Sequence, residues 1–179
     1  MFEMRQHQTF SRGVLALDGG STDRLVVRVG CELAKPQKAE LFAVHVLEVD
    51  WTHDLSDVIP GSAERASAVL DVAEAIAERA RVPLKTQLLQ ARDVGAALVD
   101  EASALDADIM IIGLPYRMRL GGEFAIGRTV RYVLQNAPMA VYVVRDPMPV
   151  QHEGQRAQDA QHASEPARTA PAGAAARHT

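Results

Sequence analysis

The stretch of chain between residues 113 and 129 combines glycines with arginines, a composition suited to binding a phosphate group. An arginine guanidinium forms charge-assisted, often bidentate hydrogen bonds with phosphate oxygens. Arg128 is the strongest candidate, because it follows Gly127 at the predicted start of a helix, where the helix dipole favours an anion. For Arg117 and Arg119 a solvated loop is the more common outcome. The residues concerned are Gly113, Gly121, Gly122, Gly127, Arg117, Arg119 and Arg128.

Motifs that would indicate catalysis are missing from the sequence. It contains no G-x-x-x-x-G-K-[ST] loop, no G-x-G-x-x-G, no G-x-S-x-G and no H-E-x-x-H. No cluster of His, Cys and carboxylate residues has the spacing of metal ligands. We therefore expect a protein that is not an enzyme and has no metal site. Slow ATP hydrolysis is the catalytic alternative, and it would require Mg²⁺ and a positioned water molecule.

The bulk composition predicts one α/β domain. A chain of 179 residues can bury a single core, and an aromatic content of 4% leaves that core to Val, Leu, Ile and Ala, as in parallel sheets covered by helices. The net charge of -4 argues against a nucleic-acid partner. The lone Cys31 cannot form a disulfide within the chain, and no apolar run approaches the roughly 18 residues that span a membrane. We expect a cytoplasmic protein with no direct membrane insertion.

The composition also divides the chain into three segments. After Asp146 the sequence is rich in Ala, Gln, Pro, Arg and His and has few large apolar side chains. Such a segment buries too little surface to offset its chain entropy. We therefore predict a flexible N-terminus over residues 1–10, a folded domain over residues 11–146 and a disordered tail over residues 147–179.

Inside the folded segment, short apolar runs alternate with helical patterns. The predicted strands are Gly13–Asp18, Leu41–Leu47, Leu84–Gln90, Ile109–Gly113 and Ala140–Val144. Such alternation indicates a parallel sheet with helices on both faces. In these sheets ligands bind beyond the carboxyl ends of the strands, which here are Asp18, Val46 and Gly113.

Two of the predicted helices bear on this edge of the sheet. Ser21, Thr22 and Asp23 can each cap the first of them, whose expected packing residues are Leu25, Val26, Val29 and Leu33. The last begins at Gly127, and its expected packing residues are Val130, Val133, Leu134 and Ala137.

Several segments, taken in order, resemble the universal stress protein family. They are LALDGGSTD at the first strand, HVL at the end of the second, DADIMIIG at the fourth and APMAVYVVR at the last. The resemblance runs from about Gly13 to Arg145. It implies a Rossmann-like, five-stranded parallel sheet with the strand order 3-2-1-4-5.

Nucleotide-binding members of that family carry a loop of the form G-x-x-G, nine residues, then Gly and Ser or Thr. Gly113 matches the first glycine and Gly127 the last, although the spacing is one residue longer than the pattern. Tyr116 stands in place of the second glycine, and Arg128 in place of Ser or Thr, with Thr129 next. The resemblance therefore implies a phosphate site that departs from the family pattern.

The resemblance also implies positions around the base. Asp18 would hydrogen-bond an adenine edge, and the alternative is a strand-end aspartate that caps the following turn. Val46 would line the base pocket, or belong to the ordinary core. His45 and Cys31 are expected to pack in the interior. The predicted nucleotide-binding residues are Leu17, Asp18, Val46, Gly113, Gly122, Gly127, Arg128 and Thr129.

Two functions of different classes follow from these observations. The first is a stress or regulatory module that binds an adenine nucleotide (ATP, AMP or a cyclic form) without catalysis, with Mg²⁺ only in the case of ATP. The second is the same fold without nucleotide binding, acting as a dimeric interaction module or a transporter-associated regulator. For the second function, GRTVRYVLQNAP resembles copies of the domain attached to amino-acid permeases.

The last predicted strand favours a homodimer. Residues Ala140–Val144 carry no charge, and the strand order implied by the resemblance places them at the sheet edge. An uncharged edge strand is a template for pairing with another chain. The alternative is a monomer whose tail covers the edge.

Overall fold

A computed structural model describes residues 10–52, 61–115 and 125–147, and the account below concerns these residues. The flexible N-terminus and the disordered tail predicted from the sequence lie outside them, apart from Phe10 and Pro147. Phe10 is buried in the core. The elements in chain order are β1 (Arg12–Leu17), α1 (Asp23–Ala34), a short 3-10 helix (Lys35–Gln37), β2 (Glu40–Glu48), α2 (Ser62–Ala80), β3 (Leu84–Ala91), α3 (Val94–Ala104), β4 (Ile109–Leu114), α4 (Arg128–Asn136) and β5 (Ala140–Arg145).

The five strands form one parallel sheet in the order β3-β2-β1-β4-β5, which confirms the predicted Rossmann-like α/β fold. β1 lies at the centre, paired with β2 on one side and β4 on the other. In this register Leu17 pairs with His45, and Ala16 pairs with Ile112. The carboxyl ends of β1, β2 and β4 therefore meet at one edge of the sheet.

Alternation along β1 divides the core into two layers. Leu15 and Leu17 pack with α1 and α2 on one face of the sheet. Val14 and Ala16 pack with α3 and α4 on the other face. Both layers consist mainly of aliphatic side chains, as the scarcity of aromatic residues predicts. None of the helices within the described residues combines the length and apolar character needed to cross a bilayer.

The packing face of α1 differs from the predicted one. Leu25, Val29 and Leu33 are only half buried, and the fully buried positions are mostly smaller residues. A Cβ atom added to Gly30 would lie 2.6 Å from Leu15 Cδ2. Because α1 approaches the sheet so closely, small residues occupy the contact and the longer leucines lie at its margins. The buried residues of α1 are Asp23, Val26, Val27, Gly30, Cys31 and Ala34.

In α4 the prediction was correct for Val130 and Val133, which are buried, and wrong for Leu134, which is 51% exposed. The helix has only nine residues and packs through a narrow face. Leu134 follows Val133 directly and therefore turns away from that face.

Replacing Gly30 with alanine is expected to destabilise the fold by about 1–3 kcal/mol, because the added methyl group overpacks the contact with Leu15. Helix propensity acts in the opposite direction, since alanine in a helix interior is favoured over glycine by roughly 0.5–1 kcal/mol. The sign of the change in the urea unfolding midpoint thus separates the two effects.

Leu15→Val supplies the matched control, since it removes the Cδ atoms that the new methyl group would meet. The double variant Gly30→Ala/Leu15→Val should be more stable than the sum of the two single changes indicates. Strict additivity would contradict this account of the α1 contact.

Candidate functional site

A cavity of about 290 Å³ opens where the carboxyl ends of β1 and β4 lie side by side. Ala16 pairs with Ile112, so the residues that follow them, Leu17 and Gly113, are neighbours at this edge. The start of α1 and the start of α4 complete the rim. The predicted site residues that line the cavity are Leu17, Asp18, Gly113, Gly127, Arg128 and Thr129.

Two of the predicted site residues do not line it. Val46 is buried in the core layer under α3 and α4, beneath the edge at which the cavity opens. This burial agrees with the second alternative for Val46, in which it belongs to the ordinary core. Gly122 lies outside the described residues, as do Tyr116, Arg117, Arg119 and Gly121.

Asp18 begins the turn between β1 and α1. Its Oδ1 accepts a hydrogen bond of 2.7 Å from Gly20 N, so the carboxylate caps the turn as the structural alternative predicted. The side chain is also exposed and lines the cavity. Gly19 has φ +82, a conformation that residues with a side chain rarely adopt. The turn therefore presents Asp18 to the cavity while the carboxylate supports the local backbone.

Asp23 is a site residue that the sequence indicated only as a helix cap. Its two carboxylate oxygens accept hydrogen bonds from Asp18 N at 3.2 Å and Gly19 N at 2.8 Å. Burial raises the pKa of this carboxyl to about 6, and the nearby Asp18 carboxylate adds to the rise, while the two backbone hydrogen bonds oppose it. Asp23 thus ties the first turn of α1 to the end of β1.

The residues before Asp23 bind to the end of β5. Ser21 Oγ donates to Asp146 Oδ2 at 2.9 Å, and Thr22 Oγ1 lies 3.3 Å from the same oxygen. Thr22 is buried and lines the cavity. A Cβ atom added to Gly113 would lie 3.0 Å from Thr22 Cβ, so a glycine at this position lets α1 approach β4.

His45 and Cys31 occupy the interior, as the sequence favoured. His45 Nδ1 lies 2.9 Å from Leu17 O. Because a carbonyl oxygen only accepts, Nδ1 carries the proton in this contact. The hydrogen bond fixes β2 against the end of β1 just below the cavity. Cys31 is a free, buried thiol, and burial raises its pKa.

The start of α4 forms the opposite wall. Gly127 precedes the helix with an extended backbone, and within the described part of the chain no side chain caps the helix. The first helical hydrogen bond runs from Arg131 N to Gly127 O. The N–H groups of Arg128, Thr129 and Val130 therefore have no acceptor within the helix, and such groups attract anions. A Cβ atom added to Gly127 would have no neighbour within 4 Å.

Arg128 is paired across the chain with Glu48, the last residue of β2. Its Nη2 lies 2.5 Å from Glu48 Oε1. The sequence did not indicate Glu48, because the two residues are 80 positions apart and nothing in their local patterns connects them.

The arrangement suits a ligand with a polar planar group at one end and an anion at the other. Apolar side chains of Ala16, Leu98 and Ile112 line the space between Asp18 and the start of α4. Among the described residues no group of three or more His, Cys, Asp or Glu side chains is arranged to hold a metal ion.

The raised pKa of Asp23 predicts a pH dependence of stability. The folded protein binds this proton more tightly than the unfolded chain, so unfolding free energy falls as pH rises from about 4 to about 6. The loss is at most about 3 kcal/mol, given 1.36 kcal/mol per pKa unit. Asp23→Asn, which keeps an oxygen acceptor, should remove that loss when urea unfolding is compared at pH 4 and pH 7.

Because the wild type and the Asp23→Asn variant share all their other titratable groups, the contributions of those groups to the pH dependence cancel in the comparison. The pKa of Asp108, for example, is lowered by hydrogen bonds from the backbone of Arg12 and Ser11, which gives a change of opposite sign at lower pH. An equal pH dependence in the wild type and the Asp23→Asn variant would show that Asp23 is not the group responsible.

The structure is similar to several solved structures. A universal stress protein family member from Burkholderia pseudomallei is 24% identical, over 76% of this chain and 96% of that one, with a TM-score of 0.59. A universal stress protein from Archaeoglobus fulgidus in complex with dAMP is 20% identical, over 75% and 98%, with a TM-score of 0.61. A universal stress protein in complex with cAMP is 20% identical, over 76% and 97%, with a TM-score of 0.59.

At these identities the similarity establishes the fold. No curated protein sequence matches the chain. The sequence model described as the universal stress protein family matches residues 9–145, which is most of the chain. The sheet order, the cavity at the β1–β4 edge and this match agree with one another, and the chain belongs to the universal stress protein family.

Proposed function

We propose that this protein is a regulatory module that binds an adenine nucleotide, without catalysis, in the cavity at the carboxyl ends of β1 and β4. The observation that carries the proposal is the start of α4 beside Gly127, which no side chain of the described residues caps and which lines the same cavity as Asp18. Two similar structures are described as complexes with dAMP and cAMP, which supports an adenine nucleotide as the ligand class.

The base would lie at the β1 side of the cavity. Asp18 offers carboxylate oxygens to an exocyclic amino group, and one of them already accepts from Gly20 N. Ala16, Leu98 and Ile112 provide apolar surface for the faces of a purine. A mostly apolar cavity with few polar groups is typical of small-molecule sites.

The phosphate would lie at the α4 side. The N–H groups of the first turn, which have no acceptor within the helix, the Arg128 guanidinium and the Thr129 hydroxyl are donors suited to phosphate oxygens. AMP and ATP are the proposed ligands, with Mg²⁺ only in the case of ATP. We retain the cytoplasm as the expected compartment, and a transporter remains a predicted partner.

Gly127→Val is expected to abolish or weaken AMP binding by at least about tenfold, as measured by calorimetric titration. Among the described residues no atom lies within 4 Å of a Cβ atom added at this position, and the valine side chain would occupy space that the phosphate needs. Arg128→Ala should weaken binding by about 10- to 100-fold, which corresponds to the roughly 1.5–3 kcal/mol of a charged hydrogen bond.

Gln135→Val is the matched control, since this exposed residue of α4 does not line the cavity. It should bind AMP like the wild type. Wild-type affinity in both site variants would place the ligand elsewhere, and absence of AMP and ATP binding in the wild type would favour the interaction module that does not bind nucleotide.

We further propose that the protein forms a homodimer through β5. This strand is at the sheet edge, and Tyr142 and Val143 are 44% and 38% exposed. Large apolar side chains on an unpaired edge favour addition of a strand from a second copy, which would satisfy the backbone N–H and C=O groups of both.

Val143→Lys is expected to shift the protein from dimer to monomer in light scattering at micromolar concentration, because an unpaired charge in a buried interface costs several kcal/mol. Leu88→Lys on the opposite edge strand is the matched control, since Leu88 is also 38% exposed. A wild type that is monomeric, or a Val143→Lys variant that remains dimeric, excludes this interface.

A further inference from the structure

Glu48 contacts Arg128, which lines the cavity, and lies on the face of the sheet that carries α3 and α4. Side chains alternate along β2, and Val44 and Val46 belong to the core layer on that face. Glu48 continues the same row by one further step. Since Leu17 pairs with His45, Glu48 lies on the neighbouring strand at the level of the turn that Asp18 begins.

The ion pair between Glu48 and Arg128 crosses this opening. β2 lies on one side of β1 and β4 on the other. Arg128 begins α4, which packs against β4. A contact between Glu48 Oε1 and Arg128 Nη2 therefore runs over the carboxyl end of β1, between the two proposed ends of the ligand.

The charges around the cavity are mainly negative. Among the described residues that line it, Asp18 and Asp23 are carboxylates and Arg128 is the one cationic side chain. Glu48 holds that cation, so a phosphate group entering the site must compete with a carboxylate for the guanidinium. It must also approach the negative charge of Glu48 itself.

We propose that Glu48 is a specificity-determining residue that makes the cavity favour nucleotides of low phosphate charge, such as a cyclic or simple monophosphate, over ATP. The inference rests on the proposed binding of adenine nucleotides at this site. Repulsion grows with the number of phosphate charges near Glu48, whereas Arg128 offers the same guanidinium to each ligand. Glu48 acts in two ways: it positions Arg128 through the ion pair, and its own charge repels the phosphate.

The size of the effect follows from the exposure of the pair. The Arg128 and Glu48 side chains are 71% and 50% exposed, so their interaction is screened by water. Release of a guanidinium from such a pair is worth at most about a fivefold change in affinity. The loss of one negative charge adds a further gain that increases with ligand charge and decreases with salt concentration.

The test is calorimetric titration of wild type and Glu48→Gln with cAMP, AMP and ATP at low ionic strength. Glutamine keeps the shape and a hydrogen-bond acceptor for Arg128, so the substitution changes mainly the charge. We expect affinity to rise about twofold for cAMP, about fivefold for AMP and about tenfold for ATP. Because each ligand is compared with itself, differences in ligand shape cancel.

Glu40→Gln is the matched control. Glu40 is the first residue of β2, is 52% exposed and forms ion pairs with Arg12 and Lys85 at the opposite end of the strand. It should leave all three affinities unchanged. When Glu48→Gln is introduced into the Arg128→Ala variant, the gain in ATP affinity should be smaller, because no guanidinium is left to be released.

Several outcomes would overturn the proposal. Equal gains for cAMP and ATP in Glu48→Gln, no gain for either, or the same gains in Glu40→Gln would each show that Glu48 does not set charge selectivity, while leaving nucleotide binding intact. Absence of binding by every nucleotide to every variant would overturn the proposed function together with this inference.

Discussion

The pairing of β1 with β2 on one side and β4 on the other is the constraint on which the site depends. From β1 the chain moves outward through β2 to β3, and then continues from the far side of β1 through β4 to β5. The connections on the two sides therefore diverge above β1, and a crevice remains at the point where the strand order reverses. Leu17 ends β1, Asp18 follows it, and Gly113 lies one residue before the end of β4, so all three line the crevice.

Asp23 stabilises the turn beside the crevice, and its burial opposes that stabilisation. A carboxylate that is largely removed from water loses solvation, and its raised pKa reflects this loss. In return, its oxygens satisfy the N–H groups of Asp18 and Gly19, which the turn leaves without partners in the sheet. The turn is thus defined by a side chain from the following helix.

Much of the fold could be predicted from the sequence, because it depends on local patterns. The apolar runs of the strands and the Asp93 cap of α3, which accepts from Ala96 N, are visible over a few residues. The packing face of α1 could not be predicted in the same way, since hydrophobicity favours the leucines and the close contact at Gly30 depends on Leu15 in a different element.

The site likewise contains residues that the sequence identifies and residues that it does not. Asp18, Gly113 and Gly127 are positions that a strand end or a helix start identifies, and the structure brings them together. Glu48 was missed because its partner is 80 residues away, and the role of Asp23 depends on a turn geometry that composition does not encode. Val46 was expected at the cavity because it ends a strand, but the neighbouring side chains bury it in the core.

The two glycines at the ends of the 113–127 segment differ in what requires them. Gly113 faces Thr22 at a distance that a methyl group would reduce to 3.0 Å, so the contact between α1 and β4 depends on it. A Cβ atom added to Gly127 would have no neighbour within 4 Å among the residues that the structure describes, and the backbone conformation of Gly127 is accessible to other residues. If a lineage lacked the proposed ligand, selection for folding would still preserve Gly113, whereas other residues could replace Gly127. The residue found at position 127 in homologous domains would therefore indicate whether selection for ligand binding still acts on them.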